Sequence, residues 1–159
     1  MKQLLIASTW FQVIWLCAVV GNYDWQSGTL GLVIATLVIS AFKGWVHWRL
    51  WTCILVMGVI VDFANLSLGL FQFEKHTFPL WLTALWMLFA WYAHFLLPFL
   101  TRYPQSVVSI VGGITGALSY LAGEKLGAVA FGVPLFPTMG ILLVEWFLIV
   151  SVIVRVYRL

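Results

Sequence analysis

Three ionisable residues stand inside long apolar stretches of this chain. Asp62 lies in ILVMGVIVDFANLSLGLF, Glu145 in MGILLVEWFLIV and His94 in LFAWYAHFLLPF. In a bilayer each such group costs roughly 2.5–3.5 kcal/mol on insertion scales, so it faces a bundle interior or a water-filled cavity. Asn65 follows Asp62 by three residues and shares its helical face. An Asp and an Asn so placed can hold a proton, a cation or a polar headgroup. They can equally clamp a neighbouring helix by hydrogen bonds, and residue types alone leave both uses open. Glu145 has no neutralising partner in its own stretch, so either its counterpart comes from another helix or it carries its proton.

Helical rise places these groups in depth. Counting from Arg49, Asp62 stands ~20 Å along its helix, and counting from Arg155, Glu145 stands ~15 Å along its own. The overlap allows the two carboxyl groups to meet. We therefore expect Asp62, Asn65, Tyr120 and Glu145 to line one polar cavity opening toward the periplasm. The alternative for Tyr120, together with Glu124 and Lys125, is interfacial anchoring. Glu124 and Lys125 are adjacent and are not expected to face each other.

Much other chemistry is excluded. His47, His76 and His94 are too few for the histidine-rich di-iron chemistry of membrane desaturases, and His94 reads as a packing residue. There is no GxSxG elbow, P-loop, HExxH or paired DxxD. Cys17 and Cys53 are isolated, without a CxxC, and read as small core residues. No metal and no cofactor is expected.

The elements that must carry these residues follow from composition. Of 159 residues, 64% are hydrophobic and 8% charged, with a mean hydropathy of +1.06. Soluble domains carry about 25% charged residues, and disorder needs low hydrophobicity, so both are excluded. A pI near 9.1 comes without the basic cluster that nucleic acid requires. What remains is an all-α, polytopic transmembrane helical bundle in a single domain. Its expected spans are about 4–20, 29–42, 50–71, 78–99, 107–122 and 138–154. The first doubles as a retained signal anchor. Residues 123–137 are a loop, a re-entrant segment or a surface helix. No internal repeat is visible.

With about six spans, Lys2, Lys43, Arg49, Arg102, Arg155 and Arg158 fall on one side, against Lys75 and Lys125 on the other. That asymmetry predicts both termini in the cytoplasm. Trp25, Trp45, Trp48, Trp51 and Trp81 suit interfacial belts. The deeper Trp10, Trp15, Trp86, Trp91 and Trp146 belong either to core packing or to a cavity for an acyl or prenoid chain. Gly112, Gly113 and Gly116 lie at spacings that let the fifth helix approach a neighbour closely.

WFQVIWLCAV, the Asp-x-x-Asn pair, FPLWLTALWMLFA and GGITGALSYLAGEKLGA together resemble a family over nearly the whole chain. It is the domain-of-unknown-function group of small inner-membrane proteins from gammaproteobacteria. The resemblance implies a multi-pass protein of the bacterial inner membrane. It also implies gene neighbours of the cyclopropane-fatty-acid-synthase and oxidoreductase types, hence membrane-lipid modification or stress. It assigns no catalytic residue. The expected function is an accessory or lipid-associated factor whose partners are the bilayer and a lipid-modifying enzyme or lipid substrate. The alternative is a small carrier or intramembrane enzyme built around Asp62, Asn65 and Glu145.

Overall fold

The computed structural model describes residues 2–159. Six helices follow one another: α1 (Lys2–Gly21), α2 (Gln26–Phe42), α3 (Trp48–Ser67), α4 (Leu80–Leu100), α5 (Gln105–Lys125) and α6 (Leu135–Tyr157). Five are long and apolar enough to cross a membrane. The exception, α2, has 17 residues, about 26 Å at 1.5 Å per residue against a hydrocarbon core of ~30 Å. Two short strands, β1 (Phe71–Gln72) and β2 (Ala130–Phe131), pair antiparallel with Phe71 opposite Phe131.

The strands correct one expectation and narrow another. The third apolar stretch does not stay helical to residue 71, because α3 stops at Ser67. Residues 123–137 are neither re-entrant nor a surface helix: they complete α5, form β2 and open α6. The cause is the same in both places. After α3, Gly69 takes a φ of +76°, its N–H bonds Leu66 O and the Leu70 N–H bonds Asn65 O. After α5, Gly127 takes a φ of +80°, its N–H bonds Glu124 O and the Ala128 N–H bonds Gly123 O. Both are Schellman endings, which turn the chain sharply out of the helix and bury the following apolar residue. Leu70 and Ala128 are indeed buried. Each exit leads into one strand, and each following helix starts from an extended proline, Pro79 for α4 and Pro134 for α6.

The chain thus contains a repeat that its sequence hides. α3–β1–α4 and α5–β2–α6 share one construction, and Gly58 precedes Gly69 by the same interval as Gly116 precedes Gly127. Gly132 closes the ribbon. Its N–H bonds Leu70 O at 3.0 Å, and a Cβ there would overlap the Gly69 carbonyl.

α4 is the most buried helix, packed on α1, α2 and α3, while α5 packs chiefly on α6 and α6 on α3. Small polar contacts fix the α4 side. Ser8 and Tyr92 share a hydrogen bond, Trp10 Nε1 donates to Thr36 and Trp91 Nε1 to Ser40. Trp91 is enclosed at 5% exposure whereas Trp10 is 38% exposed, and both line an apolar space between α1, α2 and α4. A groove is left between α1 and α5, floored by α4 and α6.

Candidate functional site

Asp62 lies on α3 one helical turn beyond Gly58, and both face the bundle interior. Its carboxylate is 2% exposed and accepts hydrogen bonds from two donors on two other helices. The Trp86 indole on α4 donates at 2.6 Å. The Tyr120 phenol on α5 donates to both oxygens, at 2.8 and 2.6 Å. One turn further, Asn65 Nδ2 donates to Glu145 Oε2 on α6 at 2.9 Å. A single polar layer therefore ties α3 to α4, α5 and α6. Neither carboxyl has a cationic partner; among the described residues the one ion pair is Lys125–Glu124.

Above this layer lies an aromatic one. Trp86 and Trp146 stack with ring centroids 5.3 Å apart and planes at 12°, and Phe71 of β1 stacks on Tyr120 at 5.1 Å. Glycines make room for the indoles. A Cβ at Gly58 would run into the Trp86 ring, and one at Gly116 into the Trp146 ring. Such stacked pairs are worth about 0.5–1.5 kcal/mol beyond the area they bury.

The expected common cavity takes a different form. Asp62, Asn65 and Glu145 line neither of the two spaces beside the cluster; their side chains are turned to one another instead. The first space, a cavity of about 80 Å³, is walled by Trp81, Trp86, Tyr120, Trp146 and the residues flanking the ribbon, Phe73, Ala128 and Val129. The second is the α1–α5 groove, about 780 Å³ and walled mainly by apolar side chains. Phe11, Trp15, Phe89, Ser119 and Trp146 border both, so the cavity and the groove lie side by side. Of the four expected residues only Tyr120 reaches the cavity wall, with Asp62 behind it.

A model of the family described as "Protein of unknown function (DUF2878)" matches residues 4–152. The chain belongs to the DUF2878 family. No curated protein and no solved structure matches it.

The remaining candidates in this DUF2878 chain fall as follows. Gly113 sits against the α6 backbone, where a Cβ would come 3.1 Å from Leu143 O. Gly112 and Gly116 face Val150 and Trp146 of α6 and also form groove wall. Tyr120 is no surface anchor, because its hydroxyl is committed to Asp62. Glu124 and Lys125 do meet, at 3.1 Å: at the end of a helix two long side chains can bend toward each other, and such a surface pair contributes at most about 1 kcal/mol. Cys17 and Cys53 are free thiols, half-buried rather than in the core. His94 packs against His47, rings 4.8 Å apart, and no described group of His, Cys, Asp or Glu could hold a metal ion.

Two residues escape sequence reasoning. Only the spacing of Gly58 from Asp62, which puts it on the same face, points to it. Trp81, whose place at a helix start suits an interfacial belt, is enclosed at 3% exposure.

Proposed function

We propose that this protein is a multi-pass protein of a bacterial inner membrane that holds a lipid chain, acting as an accessory factor in membrane-lipid modification or stress. The observation that carries the reading is the α1–α5 groove. Its volume, about 780 Å³, falls in the range of ligand pockets, ~300–1,000 Å³. Its wall combines aliphatic side chains, aromatic rings and the small residues Gly112 and Gly116. The groove runs along helices whose other faces point outward, so a chain can enter sideways from the bilayer. The six basic residues at the ends opposite the ribbon support cytoplasmic termini. A periplasmic phosphatase fused after Leu159 is then inactive; an active fusion would reverse the orientation.

The binding test uses protein purified from membranes in mild detergent. Wild type carries lipid detectable by native mass spectrometry. Thr115→Trp, which fills the groove from an exposed wall position, loses most of it. A wild type free of bound lipid would overturn the reading.

One observation favours a second reading, a carrier or enzyme. Two carboxyl groups share one layer with no cation, where Ser or Thr would have served as clamps. On that reading Asp62→Asn accumulates normally and fails to complement a deletion phenotype. Normal complementation would leave Asp62 a clamp.

A further inference from the structure

Trp81 is the second residue of α4 and one wall of the ribbon-end cavity. Its ring packs edge-on against Phe73. Its indole N–H is buried and has no hydrogen-bond partner. An orphaned buried donor of this kind costs about 1–3 kcal/mol, and native proteins rarely leave one without cause. Three other polar hydrogens of that wall are already used, and the indoles of Trp15 and Trp146, which also border the groove, are only half-buried. Trp86 and Tyr120 donate to Asp62, and Ser119 donates to the Gly116 carbonyl. Trp81 is therefore the one fully buried donor of the cavity wall left without a partner, in a setting of hydrocarbon and aromatic faces.

A water molecule is a poor match, since an ordered buried water needs two to four polar partners. An acyl carbonyl is a good one: its oxygen is satisfied by one donor, and it brings its own apolar chain. The cavity adjoins the groove across Trp15 and Phe89, so a chain lying in the groove has its end beside the cavity. Trp81 also lies where the apolar run of α4 begins, the level at which amphipathic rings sit in a bilayer.

We propose that the ribbon-end cavity binds the carbonyl of a fatty acyl ester, with the Trp81 indole N–H as its hydrogen-bond donor and the α1–α5 groove as the bed of the acyl chain. This rests on the lipid-holding reading above and adds the chemical class of the ligand.

The probes are a palmitoyl lysophospholipid and its hexadecyl ether analogue, which keeps the headgroup and chain and lacks the carbonyl. Each is titrated into the full chain in nanodiscs freed of competing single-chain lipid. Wild type binds the ester roughly threefold to tenfold more tightly than the ether, as one net hydrogen bond requires. Trp81→Phe keeps the ring, removes the donor and abolishes that preference, leaving ether affinity unchanged. Equal binding of both probes by wild type would overturn the carbonyl assignment while leaving the groove occupied. A preference that survives in Trp81→Phe would place the carbonyl elsewhere and overturn Trp81 as its donor. Binding of neither probe would overturn the lipid-holding reading itself.

Discussion

The two hairpins α3–β1–α4 and α5–β2–α6 are built to one plan and used differently. Each has a glycine seating an indole, a Schellman exit, a two-residue strand and a proline that starts the return helix. In the first, the plan is filled for burial: Asp62 is enclosed, Trp86 is enclosed and α4 is packed on three helices. In the second, the position matching Asp62 holds Tyr120, and Trp146 is only half-buried at the edge of the groove. The contrast extends to the helix starts. The second residue of α4 is the enclosed Trp81, and the second residue of α6 is Phe136, 88% exposed. One hairpin presents enclosed side chains and the other presents partly exposed ones, so the walls they give the groove differ in burial although the two share a plan.

The largest expected effect tests the enclosed side. Asp62→Leu leaves the Trp86 N–H and the Tyr120 O–H without their acceptor, at about 1–3 kcal/mol for each buried donor. Thermal unfolding in detergent should show a loss of roughly 2–6 kcal/mol. A stability within about 0.5 kcal/mol of wild type, a surface-like value, would mean that the layer is not closed as described.

Next comes a matched pair of glycine substitutions. Gly58→Ala drives a Cβ into the enclosed Trp86, and Gly116→Ala drives one into Trp146, which has room to tilt toward the groove. Overpacking costs about 1–3 kcal/mol. We expect Gly58→Ala at the upper end of that range and Gly116→Ala at the lower. The reverse order in a melting series would break the distinction between the hairpins.

Tyr120→Phe removes one donor and leaves Asp62 with the Trp86 bond. About 1 kcal/mol is expected, measured by the same unfolding assay, with the Phe71 stack retained. Smallest of all is Glu145→Gln. The amide oxygen still accepts from Asn65 and the side chain is half-buried, so the change stays under about 0.5 kcal/mol. A loss as large as that of Asp62→Leu would show Glu145 to be as tightly enclosed as its partner layer.

Helices and the shared face of Asp62 and Asn65 were legible because a 3.6-residue period and a strong hydropathy signal are local properties. The Glu145 partner was legible only as a need, since nothing in the sequence says which helix meets α6. The ribbon left no trace. Two-residue strands have no period to read, and their position is set by Gly69 and Gly127, whose left-handed φ looks in sequence like any glycine in an apolar run. The repeat was hidden for a related reason: what repeats is backbone geometry and glycine spacing, while Asp62 and Tyr120 share no chemistry beyond forming one hydrogen bond. Trp81 shows the reverse error, because a tryptophan at a helix start looks interfacial until Phe73, just after β1, is seen to pack on it.

The polar layer also has a timetable. At about 5–20 residues per second, Tyr120 leaves the ribosome roughly 3–12 s after Asp62, and Glu145 follows later still. Trp86 arrives first, so the nascent α3–α4 hairpin holds its carboxylate by one donor while Asn65 waits for an acceptor not yet made. The ribbon cannot form in that interval either, since β2 belongs to the unmade half. A chain arrested after α4 is therefore a membrane protein with an open polar wound, and release of α5 and α6 is what heals it.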